Sequence, residues 1–142
     1  FLHKIKIKHD FLAKKHNKYK PLVLKISPDH DEEKIEKLCS LINIHDISGV
    51  IISNTTIDKS VIKSGKCDNY KGGISGLPIA NKSTSLIKKF RNLLNDEVNI
   101  IGCGGIMSKK IANEKIDAGA DLLQTYTGLV YKGLKLIDEI NK

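Results

Sequence analysis

The chain has 142 residues, 40% of them hydrophobic and 28% charged, with a formal net charge of +8. That length suits one domain able to bury a core. No apolar run approaches the roughly 20 residues that span a bilayer, and FLHKIKIKHD lacks the apolar centre of a signal peptide. The positive excess is almost all Lys and spread along the chain, and aromatics make up 5%. Stacking platforms are therefore scarce, and the charge reads as a solvated surface rather than a nucleic-acid interface.

Phe1 rather than Met opens the chain, which points to further residues upstream. In residues 1–16, IKIK alternates like a strand while FLAKKH suits a helix, and we expect a basic helix. Its dense block from Lys4 to Lys20 could face an acidic partner or lipid head groups. LVLKI (Leu22 to Ile26) reads as the first strand. Asp29 or Asp31 then caps a helix through Glu32, Ile35, Leu38 and Ile42. GVIIS (Gly49 to Ser53) is the second strand and ends in Asn54-Thr55-Thr56. A long connection to Leu77 follows, holding Gly65, Gly72, Gly73 and Gly76, and such length inside a domain usually marks a functional loop. Lys82 to Leu94 has helical spacing. VNIIG (Val98 to Gly102) is the third strand and runs into Gly102-Cys103-Gly104-Gly105. Ser108 caps a helix carrying Ile111, Ala112 and Ile116 and stopping at Gly119. DLLQT (Asp121 to Thr125) is the fourth strand, followed by Tyr126-Thr127-Gly128, and Leu134 to Ile140 forms a short terminal helix.

Alternation of strand and helix predicts an α/β fold with a parallel sheet, either a small open sheet or half of an eight-stranded barrel. In both, ligands bind at the C-terminal strand ends. Half a barrel alone would leave two unpaired edges, a route to association. The glycine loop reads either as a tight strand-to-helix turn or as a cradle of N–H groups for phosphate. The neighbouring Tyr126-Thr127-Gly128 loop favours the second reading and a phosphorylated ligand or cofactor. Lys25, between Leu24 and Ile26, is either a solvated edge lysine or a charge aimed into the site, and burying it would be costly without an anion. Asn54, Thr55 and Thr56 suit a planar imide or amide, the threonines adding hydroxyls, but equally a turn or cap.

Cys39, Cys67 and Cys103 are odd in number and lack metal spacing, the pattern of a reducing compartment. Cys103 reads as a small residue packed beside glycines, or as a reactive thiol. The five histidines are dispersed, so no metal site is expected, and no Ser-His-Asp arrangement follows from spacing. The chain offers binding groups without an evident catalytic base.

In order, KPLVLKISPD (Lys20 to Asp29), GVIISNTT (Gly49 to Thr56), GGISGLP (Gly72 to Pro78), IIGCGGI (Ile100 to Ile106) and QTYTGLVYKG (Gln124 to Gly133) resemble the quinone-dependent, class 2 dihydroorotate dehydrogenases. The resemblance covers essentially the whole chain. It implies part of a (β/α)8 TIM barrel, roughly strands five to eight, with residues 1–142 as the C-terminal half of an FMN-binding barrel and residues 1–20 as the basic helix or connection before its first strand. It also implies a flavoprotein oxidoreductase of pyrimidine biosynthesis, taking dihydroorotate to orotate and passing electrons to a membrane quinone.

Carried over by residue, Lys25, Ser53, Gly76, Gly105, Tyr126 and Thr127 would bind FMN. Gly105, Tyr126 and Thr127 would hold its phosphate, and Lys25 would stabilise the anionic reduced ring. Asn54 and Thr55 would hydrogen-bond orotate. In this family the base is a serine from the first half of the barrel, so no residue here is assigned that role. The N-terminal extension that forms the quinone tunnel is likewise missing. The intact parent would lie peripherally on the cytoplasmic side of the inner membrane, and this chain alone would be inactive. Cys103 in the glycine loop, and Thr127 where serine is usual, depart from the pattern. The competing expectation is a non-catalytic phosphate- or flavin-binding half barrel acting through a partner chain.

Overall fold

Short runs of Val, Ile and Leu pair into one parallel sheet in the computed structural model, which describes residues 1–62 and 71–142. The strands are β1 (Val23–Ile26), β2 (Gly49–Ile52), β3 (Asn99–Cys103) and β4 (Leu122–Gln124), lying side by side in chain order. Side chains alternate across a strand, so the register decides what each face carries. Lys25, Ile51, Ile101 and Leu122 share one row. The alternate residues Val50, Ile52 and Ile100 are fully buried on the other face.

That buried face packs under α2 (Glu32–Ile44) and α3 (Ala80–Leu93). Ile35, Cys39 and Ile42 descend from α2, and Leu86, Ile87 and Phe90 from α3. Their spacing of three and four residues makes a single apolar stripe on each helix. Asp31, not Asp29, caps α2, accepting from the Lys34 N–H at 2.9 Å. Ser108 caps α4 (Lys109–Asp117) by accepting from the Ile111 N–H at 3.4 Å. The basic helix expected near the N-terminus is α1 (Leu2–Lys15), with no buried residue of its own. It is tied down where His9 Nε2 meets the Lys20 carbonyl at 2.6 Å. The terminal helix is α6 (Lys135–Asn141). A helix absent from the sequence reading, α5 (Thr127–Lys132), precedes it and ends at Gly133. Six residues are too few to show a helical period. Among the described residues no helix is long and apolar enough to cross a membrane.

Asp29 does different work from capping. Its carboxylate accepts from the Thr56 hydroxyl, from the Ile57 N–H at 2.9 Å and from Lys82 Nζ at 2.8 Å. Lys82, on α3, also reaches Asp58 at 3.1 Å and the fully buried Thr56 hydroxyl at 3.1 Å. Thr56 and Ile74 exchange backbone hydrogen bonds of 3.1 and 2.7 Å, the one bridge across the long connection among the described residues. Gly65 and Cys67, in the same connection, lie outside those residues. One cation thus fastens the loop after β1, the loop after β2 and the start of α3.

The charges respond accordingly. Bonds from Ser60 and Lys82 hold the Asp58 carboxyl down at about 2. Burial alone would raise Asp29, but its bonds from Lys82, Thr56 and Ile57 outweigh that and hold it low. Burial likewise works against the Lys82 ammonium, yet Asp29 and Asp58 together keep it above its ordinary value.

Two predictions follow from this packing. Phe90→Ala, at a fully buried position, should cost about 3 to 5 kcal/mol in urea denaturation, while Leu122→Ala, 60% exposed, should stay within about 0.5 kcal/mol. A carboxylate lowered by folding stabilises above its unfolded value and loses that contribution as pH falls through its folded one. The urea midpoint should therefore drop between pH 3.8 and about 2, and Asp58→Asn should flatten that drop.

Candidate functional site

Eight residues marked out by the sequence, Lys25, Ser53, Asn54, Thr55, Gly76, Gly105, Tyr126 and Thr127, line a single cleft at the C-terminal edge of the sheet. β1 supplies Lys25 from within the strand, and the rest come from the segments after β2, β3 and β4 and from the GGISG part of the long connection. Ile79, Cys103 and Ile106 add apolar surface between.

Glycine shapes one end. Gly105 has φ +75°, and a Cβ there would lie 2.6 Å from Ala80 Cα, so the loop can only lie this close to α3 without a side chain. Gly128 is as tight against the next loop, since its Cβ would fall 2.1 Å from the Ile106 carbonyl oxygen. The N–H groups of Gly105 and Ile106 meet no acceptor among the described residues. Beside them the Thr127 hydroxyl pairs with the Ser75 hydroxyl at 3.0 Å, joining the GGISG loop to the loop after β4. The Tyr126 ring stands 78% exposed. Unpaired backbone donors, a hydroxyl pair and an open approach suit a tetrahedral anion.

At the other end Ser53 is buried, giving its N–H to the Cys103 carbonyl at 2.8 Å and its hydroxyl to the Asn54 carbonyl at 3.0 Å. Asn54 is anchored twice, by its N–H to the Ile26 carbonyl at 2.8 Å and by its side-chain oxygen to the Thr55 N–H at 2.9 Å. Its amide NH2 has no partner among the described residues and can donate to a ligand. Thr55 lies under the GGISG loop, where a Cβ on Gly73 would strike its hydroxyl at 2.0 Å.

Two expectations need correction, and the two readings of Cys103 can now be told apart. Lys25 lines the cleft but is exposed rather than buried, because β1 is an edge strand and its row faces the open side of the sheet. The cost of burial therefore does not arise, and its ammonium has no protein partner among the described residues. Thr56 is not a cleft residue and instead belongs to the Asp29–Lys82 network. Cys103 is the small packed residue, since burial raises its thiol despite the opposing charges of Lys25 and Lys115. A raised thiol stays protonated and is a poor nucleophile.

Some participants were missed. Ser75 sat inside the quoted GGISGLP block, but only the fold shows its hydroxyl meeting Thr127. On α4 the apolar stripe was placed through Ile116, which is 44% exposed, whereas Lys115 is fully buried. Lys115 lies three residues after Ala112 and four after Ile111, so its helical position was the available signal and its charge concealed it.

Comparison with known proteins agrees with this architecture. The family profile described as Dihydroorotate dehydrogenase matches residues 2–142. The dihydroorotate dehydrogenase (quinone) of Vibrio parahaemolyticus is 44% identical over 141 residues, 99% of this chain and 42% of that protein. The enzyme of the same name from Methylobacillus flagellatus is 42% identical over 139 residues, 98% of this chain and 41% of the relative. The ligand-free DHODH of Eimeria tenella superposes with a TM-score of 0.78 at 30% identity, covering 84% of this chain and 33% of that one. Its ferulenol complex gives 0.80 at 29% identity over 87% and 33%. These solved neighbours are TIM barrels, and the chain carries the α/β architecture of part of one. It spans about two fifths of the length of the curated relatives. With the match running through residues 2–142, the chain belongs to the dihydroorotate dehydrogenase family.

Proposed function

We propose that this chain supplies the phosphate-binding and pyrimidine-binding half of the site in a quinone-dependent dihydroorotate dehydrogenase, with FMN as cofactor and dihydroorotate as substrate. The observation that carries this reading is the convergence of Lys25, Ser53, Asn54, Thr55, Gly76, Gly105, Tyr126 and Thr127 on one cleft. The residues fit the cofactor's chemistry. Unpaired N–H groups at Gly105 and Ile106, with the Thr127 hydroxyl beside them, suit its phosphate. Lys25 offers an uncompensated charge where the reduced ring would carry a negative one. A flavin bound here would accept the two electrons removed from dihydroorotate and pass them to a quinone.

The chain's own residues hold and orient. Asn54, fixed through its backbone and its side-chain oxygen, presents its NH2 group to a ring carbonyl, and Thr55 adds a hydroxyl. Ser53 keeps the loop in register, its hydroxyl already given to a carbonyl. No residue in the cleft is assigned the proton abstraction, a step worth roughly 10² to 10⁴ in rate. In the intact protein, quinone delivery implies peripheral contact with a membrane, on the cytoplasmic side of the inner membrane.

Flavin fluorescence and orotate titrations test the division of labour. Thr127→Val should weaken FMN about tenfold, the scale of a hydrogen bond to a charged group. Asn54→Ala should weaken orotate binding by a similar factor and leave FMN within about twofold. Equal affinity for orotate with and without the Asn54 amide would refute its role. The 142-residue chain with FMN, dihydroorotate and a quinone analogue should form no orotate above the blank, and sustained turnover would show that the base is present in it.

A further inference from the structure

Lys115 on α4 is fully buried, and among the described residues no carboxylate reaches it. Its ammonium has three donors and three acceptors: the Ser83 hydroxyl oxygen at 3.0 Å, the Thr84 hydroxyl oxygen at 3.1 Å and the Ala80 carbonyl at 3.3 Å. A buried cation held only by neutral oxygens is unfavourable unless something compensates its charge. All three acceptors lie at the start of α3, and two of these residues, Ala80 and Ser83, back the glycine loop. A Cβ on Gly105 would press on Ala80, and one on Gly104 would come within 3.4 Å of the Ser83 Cβ. Ser83 carries the connection further by donating to the Cys103 carbonyl at 2.6 Å.

We propose that Lys115 is a positioning residue for the glycine-loop site and the buried counter-charge of the phosphate held there. It acts through Ser83 and the start of α3 rather than by touching the ligand. This rests on the phosphate reading given above and goes beyond it, because the cleft residues alone do not require a cation behind the loop.

The electrostatic surroundings are simple. The Cys103 thiol on β3 and Glu114 on α4 are the titratable groups acting on Lys115, and the α3 residues facing it, Ala80, Ser83 and Thr84, do not titrate. Burial brings its ammonium down to about 8, against smaller opposing effects of Cys103 and Glu114. A nearby anion favours the charged form. Ligand affinity should therefore weaken as pH rises through about 8. The phosphate monoester itself titrates near about pH 6, outside that window.

The test compares FMN with riboflavin, which lacks the phosphate, by fluorescence quenching on wild-type protein, Lys115→Met and Lys115→Arg, with thermal unfolding as the fold control. Wild type should prefer FMN. Lys115→Met should lose about tenfold of that preference while binding riboflavin nearly as before, and Lys115→Arg should keep most of it. The wild-type preference should also decline as pH rises through about 8. Equal losses for both flavins in Lys115→Met, or a preference indifferent to pH in wild type, would overturn the proposal. Should Lys115→Met fail to fold, the wild-type pH series decides by itself. A wild-type chain that does not distinguish FMN from riboflavin would instead overturn the phosphate reading, and this inference with it.

Discussion

The carbonyl oxygen of Cys103 accepts two buried donors, the Ser53 N–H at 2.8 Å and the Ser83 hydroxyl at 2.6 Å. One bond joins the end of β3 to the end of β2, and the other joins both to the start of α3. Breaking either would strand a buried polar group, a cost of about 1 to 3 kcal/mol. The arrangement of the cleft follows from this junction. Ser53 positions Asn54 and Thr55, while α3 positions Ala80, against which Gly105 lies. Lys115, on α4, donates into the start of α3, while Lys82, on α3 itself, reaches out to the loops after β1 and β2.

The sheet is sealed on one face only. Helices α2 and α3 bury Val50, Ile52 and Ile100 completely, while the opposite row of Lys25, Ile51, Ile101 and Leu122 ranges from half-buried to exposed. Parallel sheets are ordinarily covered on both faces. The scaffold of the cleft therefore draws its stability from the helical side. Lys25 owes its exposure and its lack of a partner to the same asymmetry.

Much of this was legible in the residues themselves. The four strands fall within a residue or two of the predicted runs, because short apolar runs bounded by glycine and polar breaks are local signals. Asp31 and Ser108 cap their helices for an equally local reason, a side-chain oxygen within reach of an N–H three residues on. Lys25, Asn54, Thr55, Gly105, Tyr126 and Thr127 were legible because parallel strands bring their C-terminal ends to one edge, while Ser53 and Gly76 were named through the family resemblance. Less visible was α5, whose six residues carry no period. Asp29 was misread as a cap candidate because its partners, Thr56 and Lys82, lie 27 and 53 residues away. Ile116 was preferred to Lys115 for the stripe on α4 because apolarity normally predicts burial, and here three oxygens on another helix reverse that.

By itself, then, the sequence determined the element order, the parallel α/β class, the family and the set of residues at the strand ends. Each of these depends on local patterning or on motifs read in order. The tertiary structure alone decided which polar groups are buried, which carboxylates share Lys82, why Thr56 turns away from the cleft while Thr55 lines it, and that a lysine lies sealed behind the glycine loop. Those outcomes depend on distances between segments far apart in the chain, and a buried charge finds its partners only once the helices have packed.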